Sequence, residues 1–227
     1  MTEEQWLAGA DPKPMLEYLR GKVSDRKLRL FAAAGYRLCY GPDLTYSATA
    51  QRAVEVAERF ADGLAGREEL SQSSRAATDA AWYSLDAVFG QTRASEVEGA
   101  AAQVAGEPAG AAQAIPVARY NPNYGELTAA QAGLLRDIVG GPFRPVTTSP
   151  AWRTAQVMAL ARVAYDQREL PSGTLDVARL GVLADALEEA GCDQADLLGH
   201  LRGPGPHVRG CWAVDLTLGK TCGHARD

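Results

Sequence analysis

Cys192, His200, His207 and Cys211 are the residues whose types and spacing come nearest to a metal site. Their separations are C-x7-H, H-x6-H and H-x3-C. Zinc takes four soft or borderline donors converging on a tetrahedron, and the last His–Cys spacing suits one helix face. No CxxC or HxxxH pair anchors the set, however. The plainer reading makes Cys192 and Cys211 small core residues, places His207 at a helix end and leaves His200 in water. The expectation is therefore no metal and no cofactor, with a metal-binding regulatory domain on these four residues as the alternative.

Arg202, His207 and Arg209 form a second constellation. Pro206 suits the first position of a helix, whose free N–H groups attract anions, and arginine grips carboxylates with two parallel bonds. These three residues are the expected binding residues for an acidic partner. Other chemistry fails on spacing. Gly219-Lys220-Thr221 resembles the end of a phosphate loop, but Val214 stands where the motif needs glycine. Gly203-Pro204-Gly205 lacks the backbone donors of a dinucleotide loop, because proline has none. GxSxG and HExxH are absent from the sequence. A hydrolase assembled from residues distant in sequence is a third possibility.

The elements that must position these residues read as helices. Leu180, Leu183, Ala184 and Leu187 recur at helical spacing, and Gly191 stops that helix. Asp193 caps a short helix through Leu197, Leu198 and Leu201, and Gly203-Pro204-Gly205-Pro206 ends it. A last helix is expected from Pro206, burying Val208, Cys211, Trp212 and Leu218. Upstream, Thr2 and Gln5 form a capping box, and Asp11-Pro12 starts a second helix. Ser24 caps a third, with Leu28, Phe31 and Leu38 inward and Arg26, Lys27 and Arg29 toward water. Further helices are expected over about 47–62 and 67–88, from the Thr128–Gln131 capping box, and from Ser149-Pro150. Alternation over five or more residues is missing, so the fold class is all-α: a compact multi-helix domain with short Gly/Pro-marked connections. The expected divisions are a helical half at 1–89, an irregular linker or variable segment at 90–126, a second helical half at 127–220 and a tail at 221–227.

Composition bounds the rest. The chain has 227 residues, 46% hydrophobic and 22% charged, which suffices for a core without staples. A net charge of −5 argues against nucleic-acid and anionic-membrane partners. Four scattered cysteines do not make a disulfide scaffold. The acidic start has no apolar signal segment, and no apolar run is long enough to span a membrane, so a cytoplasmic protein is expected.

Three passages carry a resemblance: Leu16–Ala34, Leu134–Trp152 with its GPFRPV phrase, and Leu183–Lys220 with LADALEEAGC, GPGPHVRGCW and LGK. Together they resemble an uncharacterised bacterial family that occurs as many paralogues. The family usually has a cysteine-rich phrase where this chain has Ala32–Gly41, in which Cys39 alone remains. The resemblance implies no activity. The sequence reading is a non-enzymatic helical interaction or adaptor module with a protein partner.

Overall fold

The computed structural model describes residues 1–40, 47–86, 93–106, 124–144, 146 and 148–220. Of the expected irregular segment at 90–126, residues 93–104 are helical and 124–126 open a further helix, while 90–92 and 107–123 lie outside the described residues, as does the tail. Among the described residues the chain forms eleven α-helices and one two-stranded hairpin, so the all-α reading holds. In chain order the helices are α1 Glu3–Ala8, α2 Pro12–Leu19, α3 Asp25–Tyr40, α4 Ala48–Ala61, α5 Arg67–Asp86 and α6 Arg93–Val104. They continue with α7 Tyr124–Val139, α8 Ala155–Asp166, α9 Val177–Glu189, α10 Ala195–Leu201 and α11 Trp212–Leu218. Strands β1 Arg168–Glu169 and β2 Thr174–Leu175 pair antiparallel between α8 and α9. None of the described helices is long and apolar enough to cross a membrane.

Local chemistry sets the helix starts. The Thr2 hydroxyl accepts from Gln5 N–H while the Gln5 side chain accepts from Thr2 N–H, a closed capping box. Asp11 and Ser47 cap α2 and α4. Three expected starts are corrected here. Gln194, not Asp193, is the N-cap of α10, and it makes no side-chain cap bond. Thr128 lies inside α7, where its hydroxyl donates to Gly125 carbonyl, and Gln131 is buried with its amide on Cys39 Sγ. Ser149-Pro150 opens only a 3-10 turn, Pro150–Trp152, and Thr154 caps α8.

Among the described residues there are three apolar cores, and two of them lie along α3. Its Tyr36 and Tyr40 pack with alanines of α4 and α6. Its Phe31 and Ala34 pack with Trp6, Met15, Leu19 and the Leu134–Ile138 face of α7. The third core holds α8 to α11, including Val157, Leu183, Leu187, Leu201 and Val214.

α3 corrects the expected solvent face. Lys27, Arg29 and Arg37 are buried, Leu28 is half-buried and Leu38 is exposed. The helix is wrapped on several sides, so its cations serve as internal donors. Lys27 Nζ donates to the carbonyls of Ile138 and Gly210, and Arg29 donates to those of Val104 and Gly106. Arg37 binds the Glu58 carboxylate with two bonds and also reaches Pro171 carbonyl.

Glu58 is closed on its other side by Arg168 of β1, 2.6 Å away. Burial alone would raise the Glu58 pKa, but Arg37 and Arg168 outweigh it and hold the carboxyl below the usual range. A folded-state pKa below the unfolded value gives stability that is present above the unfolded pKa and lost as pH falls through the folded one. Glu58→Gln should therefore be about 2 kcal/mol less stable than the parent at neutral pH, since glutamine keeps an acceptor but not the charge. The gap should shrink as pH falls below about 4. Urea melts at neutral and acid pH check this; a gap independent of pH would refute the role given to the charge.

Candidate metal centre

His200, His207 and Cys211 do meet, but their fourth companion is Asp137 and not Cys192. Asp137 comes from α7, inside the stripe Leu134, Leu135 and Ile138 that packs against α2 and α3. His200 ends α10, while His207 and Cys211 lie on the segment joining α10 to α11. One donor atom from each residue falls within 4.8 Å of the others. His200 Nε2 is 3.0 Å from Asp137 Oδ1 and 3.2 Å from Cys211 Sγ. His207 Nδ1 is 2.8 Å from the same Asp137 oxygen. Zinc bond lengths at tetrahedral angles put donor atoms roughly 3.3–3.6 Å apart, so an ion would need the close pairs to part and the far ones to approach.

The segment 202–211 is held by its backbone. Leu175 N–H donates to His207 carbonyl, and an isolated bridge pairs Thr174 with Val208, so the hairpin pins this run from outside. Val208 N–H donates to Asp137 Oδ2 at 2.9 Å. Gly210 has φ +92°, and a Cβ there would lie 2.7 Å from Leu30 Cδ1. Cys211 follows directly and stands as the N-cap of α11. The helix expected from Pro206 therefore starts only at Trp212, because pairing with the hairpin and the turn at Gly210 take the intervening residues.

The four residues have outer contacts that would suit a ligand set. His207 turns Nε2 toward Gly203 carbonyl at 3.3 Å, leaving Nδ1 for the cluster. Asp137 has one oxygen on Val208 N–H and the other facing both histidines. Such outer contacts fix ring and carboxylate orientation in metal sites. Burial would raise the Asp137 pKa, but His200 and His207 outweigh it and hold it low. Burial would lower His207, but Asp137 raises it above its ordinary value. Burial first, and the Asp137 charge second, push the Cys211 thiol well up. A cation reverses that last effect, since a coordinating thiol is deprotonated by its metal.

A nucleophilic triad fits poorly. That chemistry uses one ring nitrogen toward the thiol and the other toward the acid. Here His200 Nε2 faces both Cys211 and Asp137.

The other sequence-flagged residues go elsewhere. Cys192 is buried in the core of α8 to α11, where its N–H closes on Leu187 carbonyl; burial leads the causes that raise its thiol. Arg202 reaches Asp185 at 2.8 Å and also Glu188, all on the surface. Arg209 pairs with Asp62 at 2.9 Å, and His207 turns inward to Asp137. Arg202, His207 and Arg209 therefore occupy three separate settings. Asp137 could have been found as an acid within an apolar helical stripe, a position that demands a partner.

Trp212 closes the outer side. It is half-buried, not sunk in the core as its helical register implied, and its ring lies 5.0 Å from that of His200. The reason is Gly140: at φ +75°, its missing Cβ leaves the space in which the indole sits, 2.9 Å from Trp212 Cγ. Gly140→Ala should cost about 2 kcal/mol through overpacking and shift the tryptophan emission as the ring is displaced. Unchanged emission and melting would contradict this contact. Comparison with protein-family models, with curated proteins and with solved structures finds no match for this chain.

Proposed function

We propose that this chain is a metal-binding helical module holding one zinc-class divalent ion on Asp137, His200, His207 and Cys211. The observation that carries the reading is the convergence of these donors, three of them nearly sealed from water, with outer contacts on Asp137 and His207. Two imidazoles, one thiolate and one carboxylate form a borderline set that suits zinc better than calcium or magnesium. Four protein donors complete a tetrahedron and leave no position for a substrate, which marks a structural site. That supports a non-enzymatic module that works through its surface. The reading replaces the expectation of no metal, and it replaces Cys192 with Asp137 in the alternative ligand set.

The ion would join α7, which packs against α2 and α3, to the unit of α8 to α11. Protein expressed in zinc-supplemented medium and purified without chelator should carry about one zinc per chain. Elemental analysis should find the metal lost in His207→Ala and Cys211→Ser but kept in Cys192→Ser. Absence of metal from the parent protein would refute the site; loss in Cys192→Ser with retention in Cys211→Ser would refute this ligand set.

A further inference from the structure

A second polar cluster shares no residue with the metal centre. Around Tyr165 lie Arg26 and Lys27 of α3, Asp62 at the end of α4, Arg209, Asp215 of α11 and Lys220. Arg26 reaches Asp62, Asp215 and the Tyr165 hydroxyl, and that hydroxyl donates to Asp62 at 2.9 Å. Arg209 and Lys220 lie over the Tyr165 ring, 5.1 Å and 3.8 Å from its centre. One helical turn before Asp62, on the same face of α4, Glu58 holds Arg37 and Arg168.

Charge does not balance in this network. Among the described residues, six cations meet three buried carboxylates, and Asp166, 3.9 Å from Arg209, is 66% exposed. The C-terminal end of α4 offsets only about half a charge. Excess buried positive charge is costly unless something of opposite sign accompanies it. Hydrogen bonding points the same way. Arg168 Nη1 and Arg209 Nε are buried without a hydrogen-bond partner among the described residues. Arg209 Nε is 2.9 Å from Asp62 Oδ2, but the direction does not suit a bond. Access is graded, because the Lys220 side chain is 32% exposed and that of Arg26 18%.

We propose that this network is a binding site for a compact oxyanion of the phosphate class, entered past Lys220 and held by Arg209 and Lys220. Guanidinium groups match such oxyanions with parallel charge-assisted bonds, and two or more negative charges meet the excess. Free phosphate and the phosphoryl group of a monoester present the same oxygens to these donors.

The test is calorimetric titration of the protein as purified with inorganic phosphate and with phenyl phosphate, against chloride at equal ionic strength. Phosphate should bind and raise the melting midpoint where chloride does not. Lys220→Gln should weaken binding about tenfold and Arg209→Gln more, while Arg202→Gln should bind like the parent. Phenyl phosphate binding as well as phosphate assigns the site to a monoester; phosphate alone assigns it to the free ion. No binding by either, binding unchanged in Lys220→Gln, or equal loss in Arg202→Gln would overturn the proposal. If Arg209→Gln does not fold, Lys220→Gln still decides the matter, because its side chain is the more open of the two.

Discussion

Asp215→Ala should lower stability by about 3–5 kcal/mol, the range found when one partner is taken from a buried ion pair. Asp215 is fully buried and meets Arg26 Nη1 and Lys27 Nζ, each at 2.6 Å. Arg26 would keep Asp62 and a partial route to water. Lys27, 2% exposed, would keep two carbonyls but lose the carboxylate that neutralises it. The remaining ammonium then bears most of its desolvation cost. Domains hold only about 5–15 kcal/mol in total, so the variant should be strongly destabilised or unfolded at room temperature. The double variant Lys27→Met, Asp215→Leu should recover part of the loss, because it leaves no orphan charge. Circular dichroism melts check both. A single variant as stable as the parent would refute the dependence of Lys27 on Asp215, and a double variant worse than the single would point to packing instead of charge.

That prediction turns on what the sequence showed of α3 and what it hid. Ser24 and the apolar run announce a helix, and its start is legible for that reason. Its orientation is not. Arg26, Lys27 and Arg29 look like a solvated face because cations usually are. The partners that make them internal are remote: the Ile138 and Gly210 carbonyls, Asp215 and Asp62. No local pattern reports a partner 183 or 189 residues away. Leu38 shows the same limit in reverse, fitting a helical stripe yet ending exposed.

The candidate site was legible by donor chemistry more than by geometry. His200, His207 and Cys211 belonged to the four residues singled out by type and spacing. Asp137 was missed because an aspartate has no distinctive spacing to a His–Cys run 63 residues later. Cys192 was included because it precedes His200 closely, but it belongs to the core formed with α9 and α10. The expected helix from Pro206 also misled, since it aligned His207 and Arg209 at one N-terminus. In the fold, adjacent residues of that run serve opposite sides: His207 faces Asp137, and Arg209 faces Asp62.

Chelation should produce the largest conditional change. An ion that binds only the folded chain stabilises it by about 4 kcal/mol when free metal is a thousandfold above its dissociation constant. Zinc-finger peptides owe all their folding to such binding, but the described residues here build three apolar cores, so stripping a metal from the proposed site should loosen the fold without complete unfolding. The loss should be local. Asp137 would remain on α7, held by the Leu134–Ile138 face, while the 202–211 segment would be left with only its hydrogen bonds to Asp137 as a tie to that helix. Hydrogen exchange should then rise at Val208, whose N–H is bonded to Asp137, and at Cys211, bonded to Val208 carbonyl, with little change in α4 and α5. Trp212 emission should shift as well, since its ring rests against His200. Cys211→Ser keeps nearly the same volume but weakens the metal bond, so it should melt like the chelated parent and show no further response to chelator. If chelator leaves the parent's melting midpoint and the Val208 exchange rate unchanged, the cluster is a hydrogen-bonded knot and not a metal centre. If chelator lowers the midpoint of Cys211→Ser as much as that of the parent, the metal lies elsewhere.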